Sequence, residues 1–81
     1  MKKTNKKLFK DFIKTIMDYA KYYKLSDKLP TFKENESCEG YFHNCNYMIT
    51  YEYKKGYKYF IGVVDNYGDI VASDRDMIVY D

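Results

Sequence analysis

Three side chains that bind soft metals lie close together in the middle of the chain. Cys38, His43 and Cys45 form a C-x4-H-x-C pattern, and each is a ligand type that zinc accepts. A structural zinc ion needs four ligands, and a fourth is not evident here. A thiol nucleophile needs a base and a group that orients the base, and the orienting group is not evident either. We therefore expect two free thiols and neither metal nor cofactor, with a metal site or a Cys38–Cys45 disulfide as the alternatives.

Four aspartates in the last third of the chain are a second candidate for cation binding. Asp65, Asp69, Asp74 and Asp76 lack the spacing of a calcium-binding EF-hand loop, which also requires a distal glutamate. Aspartate is favoured in β-turns because its side chain hydrogen-bonds to nearby backbone groups. We expect turn residues here, which together could still form a negative patch that mimics phosphates.

Tyrosine is the most unusual feature of the composition, with 11 among 81 residues. Five of them fall within residues 46–64: Tyr47, Tyr51, Tyr53, Tyr57 and Tyr59. Aromatic rings on a sheet can stack on the bases of single-stranded nucleic acid, and tyrosine is equally typical of protein interfaces. A third interpretation is that a helix simply covers these rings. The sequence leaves all three open.

A helix over residues 5–24 is the first element predicted to position this region. Its apolar residues recur at spacings of three and four, which places them on one side of a helix; they are Leu8, Phe9, Phe12, Ile13, Ile16, Met17, Ala20 and Tyr23. The other side carries Lys7, Lys10, Lys14 and Lys21, interrupted by Asp11 and Asp18. We expect residues 26–30 to end the helix, because the residue before Pro30 is disfavoured in helical geometry.

An acidic loop over residues 31–45 is predicted to lead into β-hairpins over residues 46–80. Tyr41 and Phe42 are expected to anchor the far end of this loop to the core, with a short strand there as the alternative. Strands 47–53 and 57–64 alternate in polarity, and a loop of residues 54–56 would pair Tyr53 with Tyr57 and Tyr51 with Tyr59. Gly56 supplies the left-handed residue that a three-residue loop requires. This register places every odd-numbered position on one face.

A second turn at residues 66–68 is predicted to lead into a strand over 69–73. Residues 73–76 are then expected to form another turn, followed by a short last strand or edge segment over 77–80. In this arrangement Phe60, Val64, Ile70 and Ala72 share the even-numbered face. One helix can cover only one face of a sheet, so this face is either covered by the 31–45 loop or exposed to a partner.

These elements predict an α+β fold, with one N-terminal amphipathic helix packed on a three- to four-stranded antiparallel meander. Residues 1–81 are expected to form a single domain, given the length of the chain. The order of one helix followed by three strands resembles the first part of double-stranded-RNA-binding domains. The resemblance is one of topology, and no residue roles are carried over from it.

Charge is unevenly distributed along the chain. Residues 1–33 hold ten lysines against three aspartates, a net +7, whereas residues 34–81 hold four basic and nine acidic residues, a net −5. Neither a secretory signal nor an apolar run of about 18 residues is present, so no membrane partner is expected. We expect a cytoplasmic protein with reduced thiols.

The predicted function is that of a non-enzymatic protein-binding module. Its partner-binding residues are expected on the tyrosine face and in the acidic turns, at Tyr51, Tyr53, Tyr57, Tyr59, Asp65, Asp69, Asp74 and Asp76. Size and composition would suit an inhibitor from a phage or mobile element, of the anti-CRISPR kind. Such a protein would block a host nucleic-acid-handling or defence enzyme by covering its surface or by acidic mimicry. A homodimer is a further expectation.

The alternative is a small nucleic-acid-binding domain. It would use Lys7, Lys10, Lys14 and Lys21 on the helix together with the tyrosines of the sheet. An enzyme would need a deep pocket, which a chain of this length does not favour.

Overall fold

The computed structural model describes residues 5–78. Helix α1 spans Asn5–Tyr22 and is followed by a single 3-10 turn at Ser26–Lys28. Strands β1 (Cys38–His43), β2 (Tyr47–Lys54), β3 (Lys58–Asp65) and β4 (Ile70–Met77) form one antiparallel sheet in the order β1-β2-β3-β4. The predicted α+β class, with an N-terminal helix packed on an antiparallel meander, is confirmed. Residues 79–81, which include the end of the predicted last strand, lie outside the described residues.

Helix α1 packs on the sheet through a stripe of fully buried residues at intervals of four: Leu8, Phe12, Ile16 and Ala20. It ends earlier than predicted, and proline is not the cause. Lys24 adopts a left-handed conformation with φ 61°, its N–H donates to the Lys21 carbonyl (3.3 Å), and the Leu25 N–H donates to the Ala20 carbonyl (2.6 Å). This pair of bonds is a Schellman motif, here with lysine where glycine is usual.

Strand β1 lies inside the segment that was predicted to be a loop. Cys38, Gly40 and Phe42 point to one side of the sheet, and the intervening residues point to the other. Gly40 is needed there because a Cβ at this position would lie 2.7 Å from the Tyr51 hydroxyl oxygen. The full strand was not predicted from the sequence because glutamate and glycine, here Glu39 and Gly40, are generally unfavourable in strands.

The β2–β3 hairpin keeps the predicted faces but is shifted by two residues. Tyr53 pairs with Tyr59 and Tyr51 pairs with Ile61, so the three-residue loop is 55–57 instead of 54–56. Gly56 does adopt a positive φ of 74°, and the Tyr57 N–H closes the turn on the Lys54 carbonyl at 2.9 Å. A shift of two preserves side-chain alternation, so the odd-numbered residues still share one face. Tyr57, however, lies in the turn and not on that face.

Strand β4 is continuous from Ile70 to Met77, so the predicted turn at residues 73–76 is wrong. The predicted β3–β4 turn is present: Gly68 has φ 82°, and the Asp65 carboxylate accepts the N–H groups of Tyr67 and Asp69. Immediately after it, Val64 pairs with Ile70 but Val63 pairs with Ala72, which leaves Val71 as the extra residue of a β-bulge. The bulge moves Ala72 to the helix side of the sheet, opposite to its predicted face.

The helix covers the side of the sheet that carries the odd-numbered residues of β2 and β3, and we call this side the covered face. Its rings and aliphatic groups form the core with α1; they are Ile49, Tyr53, Tyr59, Ile61 and Val63. The segment before β1 packs on the same side. The Phe32 ring centroid lies 5.5 Å from that of Phe12 and 5.4 Å from that of Tyr51. Within residues 5–78, α1 packs against β2, β3 and β4 from this side only. The other side, which we call the open face, is left uncovered.

Candidate protein-binding surface

The open face is built by strand alternation, which sends every second side chain away from the helix. Strand pairing assigns to it the following residues: Glu39, Tyr41, His43, Met48, Thr50, Glu52, Lys54, Lys58, Phe60, Gly62, Val64, Ile70, Ser73, Arg75 and Met77. Large apolar residues stand in solvent on this side. Tyr41 is 67%, Ile70 65%, Met77 47% and Phe60 36% exposed.

Phe60 occupies the middle of the open face and lies against its own strand. A Cβ at Gly62 would lie 3.1 Å from two carbons of the Phe60 ring, so glycine is what lets the ring lie close to the sheet. A hollow lies on each side of the ring. One, of about 540 Å³, reaches Met77 and Arg75, and the other, of about 470 Å³, reaches Tyr41. Phe60 and Glu52 line both hollows, so the centre of the face is a ridge between two depressions.

A transverse row of charge crosses the same place. Glu39 pairs with Glu52, Glu52 with Phe60, and Phe60 with Arg75. The β1 side of this row is therefore acidic and the β4 side is basic. Lys54 and Lys58 lie opposite each other on β2 and β3 in the adjoining row, next to the β2–β3 turn.

The tyrosines predicted to bind a partner are mostly in the core. Tyr53 and Tyr59 are buried, and Tyr51 is half-buried among the rings of Phe12, Phe32 and Phe42. The Tyr53 hydroxyl donates to Asn35 Oδ1. Only Tyr57, in the β2–β3 turn, is exposed, with Lys58 Nζ 5.2 Å from its ring centroid. Of the interpretations left open by the sequence, these positions match coverage by the helix.

Burial changes the chemistry of these hydroxyl groups. Desolvation raises the pKa of Tyr59, and its hydrogen bond to the Asp74 carboxylate (2.8 Å) raises it further. Desolvation also raises the pKa values of Tyr51 and Tyr53, with the nearby Cys38 as a second cause. At neutral pH these groups are hydrogen-bond donors, which suits a structural role.

The four predicted aspartates do not face the same way. Asp65 and Asp69 lie at the β3–β4 turn, and the Asp65 carboxylate holds that turn. Asp74 and Asp76 belong to β4 and point to the helix side, paired with Ile61 and Tyr59. The Asp74 carboxylate accepts the Tyr59 hydroxyl, and Asp76 Oδ1 accepts the Met77 N–H at 2.8 Å. These aspartates therefore serve the turn and the covered side of the sheet.

Cys38, His43 and Cys45 are not brought together. Cys38 begins β1 on the covered side, whereas His43 ends β1 on the open face, about 16 Å away at the rise of a strand. His43 stacks on Tyr41 with 6.3 Å between ring centroids. Both thiols are free; Cys45 is exposed, and desolvation raises the pKa of the Cys38 thiol. Among residues 5–78, no group of three histidine, cysteine, aspartate or glutamate side chains could hold a metal ion.

The predicted helix lysines are all exposed. Lys7 is 3.5 Å from Asp11, one turn away. Lys10 and Lys14 border a groove of about 440 Å³ between α1 and the segment at Glu34, lined by Phe9, Ile13 and Met17. Asp18 and Glu34 also line this groove, so it carries charges of both signs and does not favour an anionic ligand over a cationic one. The lysines and the sheet tyrosines do not share a surface, because the helix lies between them.

Asn44 is a key residue that no sequence pattern revealed. Its side-chain N–H groups donate to the Tyr23 and Lys24 carbonyls at the end of α1 (3.2 and 3.3 Å). Its Oδ1 accepts the N–H groups of Asn46 and Tyr47, both at 2.8 Å. One side chain thus satisfies the carbonyls after the helix and shapes the β1–β2 turn. The two carbonyl partners lie 21 and 20 residues away along the chain, a separation that local sequence patterns do not predict.

No helix in the described part of the chain is long and apolar enough to cross a membrane. Comparison with protein-family models, with curated proteins and with solved structures found no match to this chain.

Proposed function

We propose that this chain is a non-enzymatic protein-binding module and that it binds through the open face of its sheet. The observation that supports this proposal is the exposure of Tyr41, Phe60, Ile70 and Met77 on a face that no element of residues 5–78 covers. Contiguous apolar patches of several hundred Å² are unusual on monomers and typical of interaction sites. The proposal moves the binding surface from the predicted tyrosine face to the opposite side.

The composition of the face favours a protein as partner. Phe60 lies at its centre beside Glu52, and exposed apolar residues on the edge strands are interspersed with acidic and basic groups; protein interfaces combine apolar and polar groups in the same way. Glu39 and Glu52 lie in the same row as Phe60, and their charge would repel the phosphates of a nucleic acid. An inhibitory role against a host nucleic-acid-handling or defence enzyme, of the phage anti-CRISPR kind, is proposed only from the size of the chain and its acidic second half.

Site-specific photo-crosslinking in the cell that encodes the chain tests this proposal. A photoreactive phenylalanine analogue at Ile70 samples the open face, and the same analogue at Tyr22, which is 77% exposed on the helix, is the matched control. We expect protein adducts from position 70 and far fewer from position 22. Adducts should disappear from position 70 when Phe60 is also changed to aspartate. Equal labelling at both positions, or none at position 70, contradicts the proposal.

Nucleic-acid binding is the second candidate, because Lys10, Lys14 and Lys21 are exposed on one helix. Affinity for a duplex should then fall by about 0.9 log units per log unit of salt for each phosphate contacted. The double substitution Lys10→Glu and Lys14→Glu should abolish this binding, whereas Lys55→Glu in the β2–β3 turn should not. If no oligonucleotide binds at low salt, this candidate is excluded.

A further inference from the structure

We infer that the partner seated on the open face is a second copy of this chain, packed face to face about a two-fold axis parallel to the strands. This inference rests on the proposed function, since it names the occupant of the same surface. Two-fold pairs are the commonest oligomers, and they require a surface that is complementary to itself. The charge, the residue pairing and the area of the open face are considered in turn.

The transverse row of charge is complementary to itself under this symmetry. A two-fold axis along the strands places β1 of one copy over β4 of the other, and β2 over β3. Glu39 then faces Arg75 of the second copy, and the same pair recurs on the other side of the axis. Glu52 faces Phe60 of the second copy. Lys58 and Arg75 lie next to that Phe60, and either can form an ion pair with the Glu52 carboxylate. Complementary charge of this kind fixes orientation and register at an interface.

The two-fold axis also determines which residues meet at the centre and at the ends of the face. Glu52 and Phe60 form the ridge between the two hollows, so the ridge of one copy meets that of the other, with each Phe60 ring opposite a Glu52 side chain. In the row nearest the β3–β4 turn, Met48 faces Val64, and His43 faces Ile70. Lys54 and Lys58 face each other in the row next to the β2–β3 turn, at the rim, where solvent and salt screen their repulsion.

The available area predicts a weak pair. Four strands about 4.8 Å apart and about 26 Å long give roughly 500 Å² per copy, hence about 1,000 Å² in total. Specific interfaces begin near this size, and those below about 1,200 Å² are typically transient. We expect association in roughly the micromolar range and a free monomer at low concentration.

Sedimentation equilibrium of the purified chain over a wide concentration range provides the test. The monomer mass is 9.8 kDa, and we expect the average mass to approach twice that value. Glu39→Arg and Arg75→Glu should each weaken association by at least about tenfold, because each creates two repulsive pairs. The double variant exchanges the charges and should restore association to within about threefold of the wild type. Glu36→Arg and Lys10→Glu, which change net charge equally but lie off the open face, should have little effect.

Several results would overturn the inference. A chain that stays monomeric at millimolar concentration, single reversals without effect, or a double variant no better than the singles would each do so. Photo-crosslinking from Ile70 separates this failure from that of the proposed function. Adducts of a protein other than this chain would leave the proposed function standing and remove the second copy as the occupant. Absence of any adduct would remove both.

Discussion

The two faces of the sheet carry similar kinds of residue, but one face is buried and the other is exposed. On the covered face, aromatic and aliphatic side chains pack against α1, and their hydroxyl groups have partners in Asn35 and Asp74. On the open face, side chains of similar size stand in solvent beside separated acidic and basic groups. The difference shows that residue type alone does not determine whether a tyrosine or a phenylalanine belongs to the core. The position of the single helix does.

The largest expected effect comes from a matched pair of isoleucines. Ile61 on the covered face is fully buried, whereas Ile70 on the open face is largely exposed. Ile61→Ala should lower the free energy of unfolding by about 2–5 kcal/mol, because it leaves a cavity under the helix. Ile70→Ala should change it by less than about 1 kcal/mol. Urea denaturation at low protein concentration measures both, and Ile61→Val provides a milder variant if Ile61→Ala fails to fold. Equal losses would mean that the two faces are buried alike.

A smaller contrast is expected between two tyrosine hydroxyl groups. Tyr59→Phe removes the donor to the half-buried Asp74 carboxylate and should cost about 1–3 kcal/mol of unfolding free energy. Tyr41→Phe on the open face should be close to neutral. A double-mutant cycle with Asp74→Ala measures the coupling directly, and an interaction energy near zero would refute the proposed role of this hydrogen bond.

The glycines beneath two aromatic side chains give a third contrast. A Cβ at Gly40 meets the Tyr51 hydroxyl, and Tyr51 is held by the rings of Phe12, Phe32 and Phe42. Gly40→Ala should therefore cost about 1–3 kcal/mol through overpacking. Gly62→Ala should stay within about 1 kcal/mol, because the Phe60 ring can move into solvent. Thermal denaturation of both variants decides the matter, and a greater loss at Gly62 would mean that Phe60 is fixed in place.

The raised tyrosine pKa values predict the smallest effect on the free energy of unfolding at neutral pH. This effect increases at alkaline pH. The unfolded chain releases these protons near pH 10, whereas the folded chain retains them at that pH because desolvation raises the pKa values of Tyr51, Tyr53 and Tyr59. The contribution of these tyrosines to the free energy of unfolding should therefore be constant from pH 7 to about 9 and fall as the pH rises beyond about 10. Tyr59→Phe should reduce the slope of that fall in urea titrations; an unchanged slope would contradict the assignment.

The elements with strong local periodicity were predictable from the sequence. The apolar spacing of α1 and the alternation of β2 and β3 determined the element types and the shared face of the odd-numbered residues. The two-residue shift of the hairpin was not predictable, because a shift of two leaves every side chain on the same face. The sequence indicated at most a short strand at Tyr41 and Phe42, and the full extent of β1 was not predicted because Glu39 and Gly40 are residue types that disfavour strands.

The candidate site depended on information that the sequence does not contain. Alternation predicted two faces with Phe60, Val64 and Ile70 opposite the tyrosines, but it could not say which face the helix covers. The role of Asn44 depends on the end of α1 lying beside the β1–β2 turn. The placement of Ala72 and Asp74 depends on the bulge at Val71, which has no reliable local signature.

That bulge has a consequence for how the sheet can grow. Because of the extra residue Val71, the even-numbered Ile70 points to the open face, whereas the even-numbered residues from Ala72 onwards point to the covered face. A further strand added at this edge would meet an irregular template with aspartates directed inward, two devices that proteins use against edge-to-edge addition. Both features disfavour the pairing of a second copy with the β4 edge. The face-to-face pair proposed above would be closed by its two-fold axis and would not propagate into a fibre.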